Sequence, residues 1–343
     1  MIPMTGQSKL LEFRKLSREL ECLFLNKNTV IQSVGTWVPD QLNQFLDTIT
    51  QPCNTVVLLD ELWRYPESIE IILNHSNLKN KNVFVVSTGY QNKQLGPRTW
   101  MITWPIYFLH HLNSATDFTT KSVDLKIGFN CLNNGTQVHR ILLGYQLHQH
   151  GLLDQVLFTQ NNQGSLDALI LDTFPNMEEY KKLLPIRLPD PYDPTSKDVF
   201  PKFLPRNFDP WVYHYSHQNS YCNIVTESET DGFPYQIPLE IITEKSYKPF
   251  VAKQIPIMLA GRGHIAYLKS LGFEMMEDLL PTNYDYMWTD QKISAIVDVV
   301  SRGTEFIKDF YFDHIQEINH NHELWFSGKI KQTILQRIRN IIV

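Results

Sequence analysis

Two segments of the chain place a cation where a helix is expected to start. In Ile241-Ile-Thr-Glu-Lys-Ser-Tyr-Lys-Pro-Phe250, Thr243 is a suitable N-cap, and Glu244 and Lys245 fall in the first turn. In Asn130-Cys-Leu-Asn-Asn-Gly-Thr-Gln-Val-His-Arg140, a polar, glycine-containing loop delivers Arg140 into the first turn of the next helix. The N-terminal end of a helix is already partially positive, so a Lys or Arg there is badly placed unless an anion joins it. A phosphate would collect helix N–H groups, the dipole and the side-chain charge together. The alternatives are a Glu-Lys pair on a solvated helix face for Lys245, and a salt bridge to a distant acidic residue for Arg140.

A third segment, Asp60-Glu-Leu-Trp-Arg-Tyr65, follows directly on the apolar run Thr55-Val-Val-Leu-Leu59. Residues just past the carboxyl ends of parallel strands are where α/β sheets carry function. There Asp60 or Glu61 could act as a general base, with Trp63, Arg64 and Tyr65, and Trp104 at the end of a later strand, forming an acceptor platform for a sugar or a base. The alternative is a polar strand end capping the next helix.

These residues need elements to hold them. Strands are expected at residues 29–34, 55–60, 82–87 and 100–104, with helices at 39–50 and 66–74 and a charged helix around Lys9 to Leu25. Strands spaced by helix-sized intervals imply βα units on a parallel sheet. A second α/β block starts near Lys126: strand 126–130, helix 137–149, strand 155–159 and an apolar piece at 167–171. Seven prolines between Leu184 and Trp211 forbid a long helix or a central strand, so that stretch is an extended excursion. A strand over 221–229, the segment around Lys245, the apolar strand Ile255-Pro-Ile-Met-Leu-Ala260 and the turn Gly261-Arg-Gly263 follow, and helices are expected at 290–310 and 323–342.

Length and composition narrow the function classes. The 343 residues, 43% hydrophobic, suffice for two domains with separate cores. The formal charge of −5 argues against a protein that coats nucleic acid. No apolar run approaches the length of a membrane span, no signal peptide is evident, and a cytoplasmic location is expected. Cys22, Cys53, Cys131 and Cys222 are far apart, without a CxxC pair, and are expected to be buried reduced thiols. The patches His110-His111, His148 with His150, and His320 with His322 lack metal-ligand spacing, so no metal site is expected. GxSxG, a P-loop and GxGxxG are all absent, which removes serine hydrolase, NTPase and nicotinamide chemistry.

Glu227, a short polar loop, Ile-Thr-Glu-Lys at 242–245, a helix and Ile255-Pro-Ile-Met-Leu-Ala-Gly261 together resemble the donor-binding signature of the α-1,3-fucosyltransferase family. The loop from Asn133 to Arg140 is similar to that family's loop and Arg ahead of a hydrophobic helix. Leu132-Asn133, His139-Arg140 and Ala266-Tyr-Leu-Lys-Ser-Leu-Gly-Phe273 are similar to fucosyltransferase-like proteins of phage and bacterial genomes. Ile241 stands where family members often carry Tyr, so the resemblance leaves the sugar open.

The resemblance implies an α/β protein of GT-B type: two Rossmann-like domains facing a cleft, with C-terminal helices. It puts an N-terminal acceptor domain at 1–120, a nucleotide-sugar-binding domain at 121–318, and a C-terminal helix at 319–343 with the option of packing back on the first domain. The donor set is then Asn133, Arg140, Glu227, Thr243, Glu244, Lys245 and Gly261. Within it, Arg140 and Lys245 contact the diphosphate and Glu244 contacts the ribose. The nucleotide-sugar is a co-substrate, and no cofactor or metal is implied. The implied activity is inverting glycosyl transfer to the hydroxyl of a glycan or related saccharide. A phage-type transfer to a hydroxymethylated DNA base, and a non-catalytic binding protein that keeps the fold, are the alternatives. Oligomeric state is not implied.

Overall fold

The computed structural model describes residues 23, 29–33, 39–49, 55–59, 66–87, 93–103, 105, 125, 127–133, 137–160, 174, 176–187, 215–228, 230 and 242–342. The chain is a mixed α/β protein with parallel sheets and divides into two compact units. One comprises Met1–His110, Glu240–Thr243 and Lys331–Val343, the other His111–Leu239 and Glu244–Ile330. Among the described residues no helix is long and apolar enough to cross a membrane.

In the first unit, β1 (Thr29–Ser33), β2 (Thr55–Leu59), β3 (Asn82–Ser87) and β5 (Thr99–Thr103) run parallel, with β4 (Lys93–Gly96) antiparallel at the edge in the order β1-β2-β3-β5-β4. Helices α1 (Pro39–Asp47) and α2 (Pro66–Asn74) each open on a proline, whose missing N–H costs nothing in a first turn. Leu42, Leu46 and Ile49 recur at helical spacing and pack with Val56 and Leu58 of β2 and Val83 and Val85 of β3. On the opposite face Phe84 stacks on Trp100 with ring centroids 5.2 Å apart. Burial on both faces of β2 and β3 explains why Val56–Leu58 and Val83–Val86 appear in the sequence as unbroken apolar runs. The short polar strand β4 carries no such run and was not expected.

In the second unit, β6 (Ile127–Leu132), β7 (Val156–Thr159), β8 (Ser220–Thr226) and β9 (Ile255–Leu259) are all parallel, in the order β7-β6-β8-β9. The chain therefore steps one way from β6 to β7 and the other way to β8 and β9. The order reverses between β6 and β8, a reversal not found among the described strands of the first unit. Pro256 sits in an edge strand, where a missing ladder donor is tolerated. Helix α3 (Val138–Gln149) covers the face that carries Cys131 and Phe158: a Cβ on its Gly144 would lie 2.7 Å from the Phe158 ring. The face of Gly128 is covered instead by a later helix, whose Thr304 would stand 2.7 Å from a Cβ at that glycine. Helices α4 (Met177–Lys182) and α5 (Tyr215–Gln218) are short connectors.

Several boundaries differ from expectation. The helix expected from Thr243 is a 3-10 turn, Glu244–Tyr247, that passes into one α-turn, α6 (Lys248–Val251). Pro249 explains this, because its ring cannot follow a regular α-turn begun at Glu244 and is accommodated only where a new helix starts. Helix α7 (His264–Ser270) follows β9 after the turn Gly261-Arg-Gly263. The single helix expected at 290–310 is two, α8 (Thr289–Ser301) and α9 (Gly303–Asp313), and the one at 323–342 is the end of α10 (Ile315–Phe326) and then α11 (Lys329–Ile342). Both breaks are glycines in the left-handed region, Gly303 at φ 84° and Gly328 at φ 74°. In α11, Ile330, Ile334, Ile338 and Ile342 form the buried stripe. The helix expected around Lys9 to Leu25, the apolar piece at 167–171 and nearly all of the proline-rich excursion lie outside the described residues.

Candidate functional site

Where strand order reverses, the chains leaving adjacent strands diverge and open a crevice at their carboxyl ends. Here those ends are Leu132-Asn133 of β6 and Thr226-Glu227-Ser228 of β8. They are tied together across the reversal. The Thr226 hydroxyl donates to Asn133 Oδ1, and the Asn133 amide group donates to Cys131 Sγ at 3.4 Å. Asn133 thus ties the ends of β6 and β8 together across the reversal and is itself buried.

Helix α3 rises from the loop after β6 with Gln137 as N-cap, no side chain capping it and no acid in its first turn. Its second and third residues, His139 and Arg140, turn across the reversal onto β8. Arg140 Nη2 donates to the carbonyls of Thr226 at 3.2 Å and Glu227 at 2.9 Å, and His139 Nε2 donates to the Glu227 carbonyl at 2.8 Å. Arg140 is only 4% exposed, so its charge is delivered from within the protein rather than from the surface. Burial, and then the neighbouring Arg140 and Lys245 charges, push the imidazole of His139 down to about 3, opposed by its bond to the Glu227 carbonyl. His139 is therefore a neutral donor throughout the physiological range.

Lys245 arrives from the 3-10 turn and is half-buried, its ammonium donating to Ser228 Oγ at 3.0 Å. The two cations come from separate segments, and both act on His139. A 3-10 turn followed by one α-turn has little macrodipole, so the anion preference at Lys245 rests on its own charge, not on the helix start that the sequence suggested.

Glu227 is fully buried, and its carboxylate is turned inward. Oε1 accepts from Ser246 Oγ at 2.5 Å and Oε2 from the Ser228 N–H at 3.1 Å. At β9, Lys292 is 1% exposed and donates to the Ala260 carbonyl at 2.8 Å and the Gly261 carbonyl at 3.4 Å. The start of α7 already has an anion from the chain itself: the Asp285 carboxylate accepts from Ile265 N at 3.0 Å and Ala266 N at 2.9 Å.

Of the expected donor residues, Asn133, Arg140, Glu227 and Lys245 come together at the strand ends, and Gly261 lies at the end of the neighbouring β9. Thr243 is buried and belongs to the first unit; the Glu244 side chain is not among those described. The candidate base Asp60 or Glu61 and the acceptor residues Trp63, Arg64, Tyr65 and Trp104 lie outside the described residues. Ser228, Ser246, His264, Asp285 and Lys292 were not singled out in the sequence. A lone Ser, His, Asp or Lys without a motif gives no signal, and Lys292 follows directly on the polar pair Asp290-Gln291 at the start of α8, where a Lys is ordinary.

Among the described residues, the thiols of Cys131 and Cys222 are buried, and burial pushes Cys131 up to about 12. His320 donates to the Gly272 carbonyl, and His322 binds the carbonyls of Phe250 and Val251. Among the described residues, no three His, Cys, Asp or Glu side chains are grouped to hold a metal ion.

No protein-family model and no curated protein sequence matches the chain.

Proposed function

We propose that the second unit binds the diphosphate of a nucleotide-sugar and that the protein is an inverting glycosyltransferase of GT-B type, acting on the hydroxyl of a saccharide. One observation carries this reading. Arg140 and Lys245, from two separate segments, converge at the carboxyl ends of β6 and β8, where the strand order reverses, around an imidazole held neutral. Two cations and a helix start without an acid form an environment suited to a leaving group that gains negative charge as it departs. The described carboxylate at these strand ends, Glu227, is bonded to the Ser246 hydroxyl and the Ser228 N–H.

The step is a single displacement. The acceptor hydroxyl gives its proton to a carboxylate, with Asp60 and Glu61 as the candidates, and its oxygen bonds to the anomeric carbon from the face opposite the nucleotide. The bond from that carbon to the diphosphate oxygen breaks, and its electron pair leaves with the diphosphate. Lys245 meets that charge directly, while Arg140 supplies field from behind and fixes the 226–228 turn. These cations do the work that a divalent ion does in other phosphate-leaving reactions, so turnover is expected to persist in EDTA.

The experiment is a thermal-shift screen of the full chain against GDP, UDP, CMP and dTDP sugars, with Lys245→Ala as control. Binding to the native state must raise its stability. The reading requires one nucleotide class to raise Tm and the rise to be lost in the variant. A panel without any shift, or a shift indifferent to Lys245, removes it.

A further inference from the structure

Ser246 and His264 are both completely shielded from solvent, and neither belongs to the cation set above. Ser246 Oγ donates to Glu227 Oε1 at 2.5 Å and also lies 2.8 Å from His264 Nε2. A hydroxyl has one proton, and Ser246 gives it to the Glu227 carboxylate. The serine proton therefore lies on the Glu227 bond, and His264 Nε2 must carry the hydrogen of the second one. This makes a directed chain, His264 to Ser246 to Glu227, that meets a carboxylate withdrawn from water.

Glu227 is the junction of the site. Its amide N–H pairs with the Leu259 carbonyl at 3.0 Å, its carbonyl takes His139 and Arg140, and its carboxylate takes Ser246 and the Ser228 amide. The residue before Ser246 is Lys245, and the residue after Glu227 is Ser228, and these two are bonded to each other. Two adjacent rungs, 227 to 246 and 228 to 245, therefore lock the 3-10 turn to the end of β8. The outer rung is the one a ligand can take over, because Lys245 is half-buried whereas Ser246 is closed off.

We propose that Ser246 and His264 are positioning residues for Lys245: through Glu227 they hold the 3-10 turn in place while the Lys245 ammonium leaves Ser228 for the diphosphate. The inference rests on the glycosyl-transfer reading of this site. It predicts that His264 contributes to anion binding only through Lys245, whereas a residue that merely stabilises the fold would contribute independently.

The test is a double-mutant cycle on the full chain, with inorganic pyrophosphate as the probe and calorimetry as the readout. The variants are Lys245→Ala, His264→Ala, the double variant, and His264→Gln, which keeps an N–H where Nε2 stood. Lys245→Ala and His264→Ala are each expected to weaken binding about tenfold or more, and the double variant no further than Lys245→Ala alone. His264→Gln should bind close to the original chain. If His264→Ala does not fold, His264→Asn takes its place in the cycle, being polar but too short to reach Ser246. Independent, multiplying losses, or no loss at His264 while Lys245→Ala weakens binding, overturn the positioning role and leave the donor site standing. Pyrophosphate binding unchanged by Lys245→Ala overturns the donor site and the positioning role with it.

Discussion

The sharpest quantitative consequence concerns His139. Its imidazole titrates at about 3 in the folded protein against 6.5 for the free side chain. Between those values only the unfolded chain takes up the proton. Stability therefore rises with pH across that window and is lost as pH falls from 6.5 toward 3. Between about pH 7.5 and about pH 5.5, protonation of the unfolded imidazole shifts the folding equilibrium about tenfold, on the order of 1 kcal/mol of folding free energy. His139→Gln is the perturbation, because glutamine keeps an N–H to donate to the Glu227 carbonyl yet does not titrate. The assay is native-state hydrogen exchange of the β6 and β8 amides at the two pH values. It reports opening of the second unit without requiring the whole chain to unfold in one step. Other groups titrate as well, but they contribute equally to both proteins and cancel in the difference. The variant should lose on the order of 1 kcal/mol less than the original chain on acidification. Equal losses would mean that His139 accepts a proton in the folded state. Its burial between Arg140 and the carbonyl of Glu227 would then not be as described.

Other expectations are simpler to check. Gly144→Ala drives a methyl into the Tyr180 hydroxyl, the nearest group, and the Phe158 ring, 2.7 Å away, and should destabilise the second unit by about 1–3 kcal/mol in denaturant titration. Asp285→Ala removes both carboxylate bonds at the start of α7 and should cost about 1–2 kcal/mol, with Asp285→Asn recovering part of it. Lys292→Met keeps the length of the side chain but leaves the Ala260 and Gly261 carbonyls without their donor, and a loss of about 1–3 kcal/mol is expected in the same titration. Cys131 and Cys222 should not react with a thiol reagent until the protein unfolds.

What the sequence determined by itself was local. Apolar runs such as Val83 to Val86 and Ile255 to Leu259 are strands because both their faces are buried, and burial on both faces leaves a continuous hydrophobic signature. The prolines opening α1 and α2 act through their own φ angles, so they can be read one residue at a time. Gly303 and Gly328 give no such signal on their own, since a glycine inside an otherwise helical pattern is compatible with a continuous helix. The two cations were legible for the same local reason, a charge of the wrong sign beside an expected helix start. Tertiary structure decided everything that depends on which strand lies beside which. The reversal between β6 and β8 follows from pairings such as Asn130 with Asn223, far apart in the chain, and no local propensity encodes it. That reversal turned Arg140 inward onto the carbonyls of Thr226 and Glu227 rather than out toward solvent. The link from Glu227 through Ser246 to His264 spans 19 and then 18 residues of chain. A serine and a histidine carry no signal of their own there, because a hydrogen bond is directional and its partner is chosen only when packing has fixed both ends.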